Sequence, residues 1–451
     1  MKIVILGAGR RGLRLARNLI EENKEVTFLD NDAGRCSSAI AKLDCMAICG
    51  SATDIEKLRA AGCESADAVI AVTSSDEINL VSCGIVSSQF PSVKQTIATI
   101  RGISYISSDN ASNFRILGIS HIVNPDMEAA TRINGIIQSG LFRDVIFFPD
   151  CHYVLFTKTI GEGDSFSGKN LIQIKQEHPG QYVLTGIKRR NKVFTPYGTT
   201  VLQENDEVAI IADENEAGRL NFTDIVTTGG KLRKIVIIGA TRITKYLLSG
   251  MSASLKRHVM LIEKDGETCH SFAEEFPDVL VLNASITDES LWDDEKLHES
   301  DLVISITDND ELNIIVASYA KRQGCKRTMA LIRTNTNYMQ LARHMDIDAP
   351  ISTTDATVDT IMKYIRADGI KTLHSLFDGE LEVYEYRIGK DFRYIGKMLK
   401  DVKMGNKAII ASVSRGREKF IPDGSYAFEE DDIILVSASH RDYAFIADLF
   451  S

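Results

Sequence analysis

Three glycines near the start of the chain have the spacing of a phosphate-binding turn. Gly7, Gly9 and Gly12 follow the apolar run KIVIL and open a segment with helical spacing. In this pattern the first glycine permits a tight turn, the second lets a pyrophosphate approach the backbone, and the third lets helix and strand pack closely. The helix N-terminus offers free N–H groups to phosphate oxygens. The sequence therefore predicts a nucleotide site over residues 7–12, with Ala8 inside the turn.

An acidic residue stands where the same pattern places a ribose partner. Asp30 ends the next apolar run, EVTFLD. A carboxylate at this position accepts both hydroxyls of an adenosine ribose and repels a 2′-phosphate, so NAD(H), ADP or ATP is expected rather than NADP. Arg10 and Arg11 lie between the second and third glycines, and we expect one guanidinium to contact phosphate oxygens. The alternative for both is exposure on the first turn of the helix.

Lesser candidates follow the later strands of the same segment, because ligands of such sheets bind beyond the carboxyl ends of the strands. Thr73 follows the fourth predicted strand and Arg101 the fifth, where an arginine reaches phosphate or pairs with a nearby acid. Thr53 and Asp54 follow the third strand and either flank an adenine ring or cap the next helix. Asp76 is expected to cap the helix that begins beside it.

The chain repeats itself, and the repeat decides its architecture. KIVILGAGRRG at Lys2 matches KIVIIGATRIT at Lys234, and AVTSSDEINL matches SITDNDELNI in the same order. TPYGTTVLQENDEVAII likewise matches IPDGSYAFEEDDIILV. Apolar runs alternate with helical stretches in the N parts, which predicts parallel sheets covered on both faces. The shorter C parts predict small α+β modules, so the fold class is α/β in two tandem repeats.

The predicted organisation has six parts. Each repeat is a Rossmann-like, doubly wound N-lobe, a crossover helix that links lobes or is exchanged between subunits, and a small α+β C-lobe. The boundaries are N-lobe 1 over 1–123, a crossover helix over 124–142, C-lobe 1 over 143–225, N-lobe 2 over 231–350, a crossover helix over 351–377, and C-lobe 2 over 378–451.

The second N-lobe carries a degraded turn. Thr241 and Thr244 replace the second and third glycines, although Gly239 and the acidic Glu263 remain. A Cβ at 241 crowds the approach of a pyrophosphate, and a Cβ at 244 is expected to loosen the packing of helix on strand. We expect this lobe to bind nucleotide weakly or not at all.

Composition excludes several other classes of protein. The 451 residues carry a formal net charge of -10, so the chain has no general attraction to nucleic acid or to anionic lipid. No apolar run approaches the ~20 residues of a spanning helix, and direct membrane insertion is not expected. The eight cysteines lack paired metal spacings and are interpreted as free thiols, with no metal site. No catalytic residues are predicted, because His121 has no evident carboxylate partner and neither C-lobe carries an acid–base set.

The duplicated N–C order, the GAGRRG turn with Asp30 and the repeated P-x-G and x-x-D segments resemble the TrkA family across essentially the whole chain. These are RCK (regulator of potassium conductance) proteins of bacterial potassium uptake. The resemblance implies RCK N- and C-lobes and a dimeric or tetrameric ring of copies. It also implies a cytoplasmic location, peripheral on the inner face of the membrane, beneath a TrkH-type transporter subunit. Occupancy of the N-lobes by NAD(H), ATP or ADP would control potassium flux.

Two departures from the family pattern refine this expectation. An apolar residue is usual where Arg11 stands, and the second turn has lost its glycines, which favours a sensor with one nucleotide site per chain. Two rival functions stay open on sequence grounds. One is an NAD-dependent oxidoreductase, and the other is an RCK regulator of another cation transporter, such as a potassium efflux system.

Overall fold

The protein is described by a computed structural model that covers residues 1–102, 117–139, 146–148, 151–190, 192–213, 232–333, 336–365, 370–405, 407–416 and 418–450. They form two compact units. The first unit combines Met1–Asn134 with Lys231–Ile365, and the second combines Gly135–Gly230 with Arg366–Ser451.

The first N-lobe is a parallel sheet of six strands in the order β3-β2-β1-β4-β5-β6. This is the doubly wound order. The chain adds strands on one side of β1 and then on the other side, beginning with β4, and this reversal leaves a crevice between β1 and β4. The strands are β1 Lys2–Leu6, β2 Glu25–Asp30, β3 Met46–Cys49, β4 Ala68–Ala71, β5 Gln95–Thr99 and β6 His121–Val123. The helices are α1 Arg10–Glu21, α2 Ala33–Lys42, α3 Ile55–Ala60, α4 Asp76–Gln89 and α5 Pro125–Ser139.

The first C-lobe is an antiparallel sheet in the order β10-β9-β11-β8-β7. Its elements are β7 Ile146–Phe148, β8 Tyr153–Thr159, α6 Leu171–Glu177, β9 Tyr182–Arg189, β10 Lys192–Phe194 and β11 Glu207–Asp213. The turn before β11 is held by Asp206, which is fully buried and accepts two hydrogen bonds from the Arg189 guanidinium.

The second N-lobe repeats the first, with strand order β14-β13-β12-β15-β16-β17. Its strands are β12 Ile235–Ile238, β13 Val259–Glu263, β14 Leu280–Asn283, β15 Leu302–Ser305, β16 Thr328–Ile332 and β17 Ala349–Ser352. Its helices are α7 Arg242–Gly250, α8 Ala253–Lys256, α9 Gly266–Glu275, α10 Glu289–Asp294, α11 Asp310–Arg322, α12 Thr336–His344 and α13 Thr353–Ile365.

The second C-lobe repeats the antiparallel module in the order β18-β19-β22-β20-β21. Its elements are β18 Ile370–Leu376, β19 Leu381–Arg387, β20 Ala408–Arg415, β21 Glu418–Phe420, β22 Ile433–Ser439 and α14 Tyr443–Phe450. The predicted fold class is confirmed by these four sheets. Asp432 is buried before β22 and paired with Arg415, as Asp206 is with Arg189 in the first module.

The crossover helix that was expected over 351–377 is shorter than predicted. Helix α13 ends at Ile365, and Ile370–Leu376 form strand β18 instead. The reason is long-range pairing, because β18 pairs antiparallel with β19 and gains hydrogen bonds that an isolated helical turn cannot match. Helix α5 covers Pro125–Ser139 of the other predicted crossover, and the remainder of that stretch lies outside the described residues.

Within the first unit, each crossover helix packs on the first helix of the other repeat. Val358, Ile361, Met362 and Ile365 of α13 are buried in the core that β1, α1 and β2 of N-lobe 1 build. In the reciprocal contact, Asn124 before α5 donates to the hydroxyl of Tyr246 on α7 at 2.8 Å. The crossover helix of the second repeat is therefore part of the hydrophobic core of N-lobe 1, and the segment before α5 is hydrogen-bonded to α7 of the second repeat.

None of the described helices combines the length and the apolar character needed to cross a membrane.

Candidate functional site

Two glycines of the first turn are required by the fold itself. Gly7 has a φ of +110°, and a Cβ there would lie 3.2 Å from the backbone of Thr73, where β4 has just ended. A Cβ on Gly12 would lie 2.1 Å from the carbonyl oxygen of Gly7, which is far inside van der Waals contact. These glycines close the turn between β1 and α1, so they would be needed with or without a ligand.

Gly9 is different, because nothing in the described chain requires its small size. It is the N-cap residue of α1 in an extended conformation, and a Cβ there would meet no described atom within 4 Å. Helix α1 has no side-chain cap and no acidic residue in its first turn. The positive end of the helix is therefore open at Gly9, as an anion-binding helix N-terminus requires.

Asp30 ties the turn to the end of β2. Its carboxylate accepts the N–H of Ala8 at 2.7 Å through one oxygen and the N–H of Asp32 at 2.9 Å through the other. Arg35 adds an ion-pair contact at 3.9 Å. Each carboxylate oxygen has a second lone pair, so these bonds leave acceptor capacity for ribose hydroxyls while they fix the position of the acid.

Arg11 projects from the first turn of α1 into a crowded basic environment. Its Nε atom is buried and has no hydrogen-bond partner among the described residues. Burial, followed by the nearby Arg101, lowers the pKa of the Arg11 guanidinium to about 10, and Asp126 partly opposes this. An anion among these groups would satisfy the buried N–H and relieve the repulsion between the arginines. Arg10, in contrast, is exposed.

The polar residues after β4 and β5 hold the crevice in shape. The hydroxyl of Thr73 donates to Asn79 Oδ1 at 2.7 Å, and Asn79 in turn donates to the carbonyl of Thr99 at 2.8 Å. The expected cap role of Asp76 is wrong, because Ser75 caps α4. Asp76 instead accepts the backbone N–H groups of Arg101 and Gly102 at 2.9 and 2.8 Å, which spacing along the sequence could not reveal.

The residues after β3 have mainly local partners. Asp54 caps α3 by accepting the N–H groups of Glu56 and Lys57, and the Thr53 hydroxyl is 2.8 Å from that of Ser51. The capping interpretation therefore describes Asp54. Both residues lie at the carboxyl edge of the sheet, on the same edge as the glycine turn, and their contact with an adenine ring stays a prediction.

The second N-lobe closes the equivalent helix with its own side chains. The Thr241 hydroxyl accepts the N–H of Thr244 and caps α7. Thr244 is fully buried and donates to the carbonyl of Gly239 at 2.6 Å, so it bridges helix and strand where a loosened contact was expected. Glu263 accepts the N–H of Ala240 at 2.9 Å, which gives this acid a structural role.

No group of three or more His, Cys, Asp or Glu side chains gathers as a metal site would require in the part of the chain that the structure describes. The expected lack of a metal stays a prediction.

Two doubly wound lobes that alternate with two antiparallel modules define a tandem RCK protein. The TrkA-N domain model matches residues 3–125 and 235–353, and the TrkA-C domain model matches residues 383–451. The chain belongs to the TrkA family. The resemblance drawn from the repeated motifs is thereby confirmed, and the class is that of TrkA-type RCK regulatory proteins of potassium uptake systems.

The relatives extend over the whole chain. A protein of Halomonas elongata named Trk system potassium uptake protein TrkA is 29% identical over 98% of this chain and 94% of its own length. A TrkA homolog of Archaeoglobus fulgidus is 29% identical over 100% of both chains. Among solved structures, the GsuK RCK domain covers 99% of this chain and 94% of its own, with a TM-score of 0.56 and 16% identity. The GsuK channel bound to NAD covers 99% and 78%, with a TM-score of 0.56 and 15% identity.

Proposed function

We propose that this chain is a regulatory subunit of a Trk-type potassium uptake system. A nucleotide bound in its first N-lobe, NAD(H) or ATP or ADP, would control potassium flux through a TrkH-type membrane partner. The observation that carries the nucleotide site is Gly9, because the chain leaves room for its Cβ and leaves the helix end beside it uncapped. The curated relatives named for Trk potassium uptake support the transport context.

The roles of the site residues follow from their positions. Gly7, Ala8, Gly9 and Gly12 present backbone to the phosphates, and Asp30 binds the ribose. The arginines Arg10, Arg11 and Arg101 surround the phosphates with positive charge. Thr73 shapes the crevice, and Thr53 with Asp54 border the adenine. The bound nucleotide supplies no chemistry in this proposal, because its occupancy alone is the signal.

We assign one nucleotide site to each chain. The second lobe has the same strands and the same tethering acid, but Thr241 occupies the helix end with its own hydroxyl. A Cβ and a hydroxyl at that position compete with a pyrophosphate for the same N–H groups. The N-lobes over 1–123 and 231–350 therefore have different tasks, in which the first senses and the second transmits.

A role without catalysis fits the way the acids of the crevice are used. Asp30, Asp54 and Asp76 each accept two backbone N–H groups, so their carboxylates serve to hold the backbone around the crevice. An oxidoreductase would instead show turnover of NADH with a carbonyl substrate, which an absorbance assay of the purified chain would detect.

Assembly into a ring is supported by matching apolar surfaces on the two N-lobes. Ile78 and Val81 of α4 are 38% and 52% exposed. On the equivalent helix α11, Ile315, which corresponds to Val81, is 60% exposed, and Tyr319 is 43% exposed. Apolar side chains repeated on equivalent helices favour contact with further copies of the chain. A homo-oligomer also gives several sensing sites, whose differential affinities add to bias a gate.

The proposed place of action is the cytoplasmic face of the membrane, reached through the protein partner. The test is potassium flux in proteoliposomes that contain a TrkH-type subunit, with and without this chain. We expect flux to change with added chain and to depend on NADH, ATP or ADP, with Gly9→Ala insensitive to nucleotide. If the chain leaves flux through the TrkH-type subunit unchanged but alters flux through a potassium efflux system, the alternative function is favoured, in which the chain regulates another cation transporter.

A further inference from the structure

Two cysteines lie at the ribose end of the crevice, around the backbone that follows β2. Cys36 of α2 is 5% exposed, and its thiol donates to the carbonyl oxygens of Asp30 at 3.5 Å and Ile48 at 3.6 Å. Cys49 ends β3, is exposed, and donates to the carbonyl of Asn31 at 3.8 Å. Each thiol is therefore anchored on the short segment that carries the ribose acid.

The strand register brings these two thiols together. Cys49 is the direct partner of Asp30 between β2 and β3. The Cys36 thiol donates hydrogen bonds to the backbone carbonyl oxygens of Asp30 and of Ile48, the residue before Cys49. Burial, and then the neighbouring Cys49, raise the pKa of the Cys36 thiol. The more exposed Cys49 is thus the thiol that a solution oxidant reaches first.

The second N-lobe shows the same contact with a different pair of side chains. Cys269 and Asn283 occupy the equivalent positions, and Asn283 Nδ2 lies 3.6 Å from Cys269 Sγ. Cys269 also donates to the carbonyl of Glu263 at 3.3 Å, as Cys36 does to that of Asp30. The two positions therefore touch in this fold, but only the first repeat places a thiol at both.

We propose that Cys36 and Cys49 form a modification site, at which a peroxide produces a disulfide that weakens nucleotide binding in the first N-lobe. The thiolate of Cys49 attacks a peroxide oxygen, gives a sulfenic acid and releases water after protonation. The thiol of Cys36 then attacks the sulfenyl sulfur, loses its proton and expels a second water. Two thiols lose two electrons and two protons, and one hydrogen peroxide becomes two waters.

The expected loss of nucleotide affinity follows from the hydrogen bond between Asp30 and the glycine turn. A disulfide would tether α2 to the end of β3 across Asp30, and the Asp30 carboxylate carries the N–H of Ala8 in the glycine turn. A displacement at the thiols is thereby passed to the ribose acid and to the phosphate turn. This half of the inference rests on the proposed nucleotide site, whereas disulfide formation does not.

The first arm of the test treats the full chain with hydrogen peroxide, blocks remaining thiols, and maps cross-linked peptides by mass spectrometry. We expect a Cys36–Cys49 peptide that dithiothreitol reverses and that Cys49→Ser abolishes. The Asn283→Cys variant should gain a second disulfide, between the introduced thiol and Cys269. Its formation would show that two cysteines at this pair of equivalent positions are close enough to form a disulfide. Separate Cys36 and Cys49 peptides after oxidation would overturn the modification site.

The second arm titrates ATP and NADH into the reduced and oxidised chains. We expect oxidation to weaken binding at least about fivefold in the wild type and to leave Cys49→Ser unchanged. A mapped disulfide with unchanged affinity would overturn the coupling to the nucleotide. A reduced wild type that binds neither ligand would overturn the nucleotide proposal itself, and the cross-link would still decide the modification site.

Discussion

A methyl group on Gly9 would contact nothing in the described chain, whereas a methyl group on Gly12 would overlap the carbonyl oxygen of Gly7. Substitutions of these two residues therefore distinguish an effect on nucleotide binding from an effect on folding. We expect Gly9→Ala to change the free energy of unfolding by less than about 1 kcal/mol, because the added Cβ contacts nothing in the described chain. We expect the same change to weaken nucleotide binding at least about tenfold by obstructing the phosphates. Chemical denaturation and calorimetry measure the two effects.

Gly12→Ala is the matched comparison. Its Cβ would overlap the carbonyl of Gly7, so we expect a loss of about 2–4 kcal/mol of folding stability in urea denaturation. A Gly12→Ala chain as stable as Gly9→Ala would show that the turn is looser than the structure indicates.

Arg11 is a residue at which stability and function oppose each other. Its Nε is buried without a hydrogen-bond partner among the described residues, and burial, followed by the nearby Arg101, lowers the pKa of its guanidinium. We expect Arg11→Met to raise the free energy of unfolding by about 1–3 kcal/mol, because it removes a desolvated and repelled charge. Nucleotide affinity should fall in the same variant. A less stable Arg11→Met chain would mean that Asp126 compensates the buried charge.

At the scale of elements, the equivalent helices α1 and α7 begin in opposite ways. Helix α1 starts at an uncapped glycine, and α7 starts at Thr241 in a capping box with Thr244. We expect Thr241→Ala to lose about 1 kcal/mol of stability, the usual cost of a lost cap, without changing nucleotide binding. Denaturation followed by titration tests both points. Loss of nucleotide affinity in this variant would place a ligand in the second lobe.

Several features that depend on residues close together in the sequence were predicted correctly. The turn over residues 7–12 and Asp30 stand where their pattern required, because strand, turn and helix are adjacent along the chain. The role of Asp76 was not predictable, since its partners at Arg101 and Gly102 come from the next strand. Strand β18 was missed for the same reason, because its hydrogen bonds come from pairing with β19.

At the scale of the whole molecule, the two N-lobes belong to one compact unit, and helix α13 of the second repeat is exchanged into the hydrophobic core of the first. An apolar stripe shows that a helix is covered but not which sheet covers it, so this exchange could not be read from periodicity. It gives a direct physical route between lobes, because α13 packs against α1, whose N-terminus is the proposed phosphate site. The pair Arg14–Asp355, at 3.1 Å, lies on the same contact.

The exchange predicts that damage to α13 destabilises the first lobe. Ile361 is fully buried in the core of N-lobe 1, so Ile361→Ala should cost about 2–4 kcal/mol. Ile172→Ala, at a position that is 50% exposed on α6, serves as the control and should change little. Urea denaturation with hydrogen exchange of β1 and α1 would locate the effect. Unchanged protection of those elements would contradict a shared core.

The central claim is a single nucleotide site in the first N-lobe, and calorimetric titration tests it most directly. NADH, NAD, ATP and ADP would each be titrated into the wild type, Gly9→Ala and Thr241→Ala. We predict saturable binding of one nucleotide per chain in the wild type and in Thr241→Ala, and binding at least about tenfold weaker in Gly9→Ala. Wild-type protein that binds none of the four, or Gly9→Ala that binds as tightly as wild type, would contradict the account.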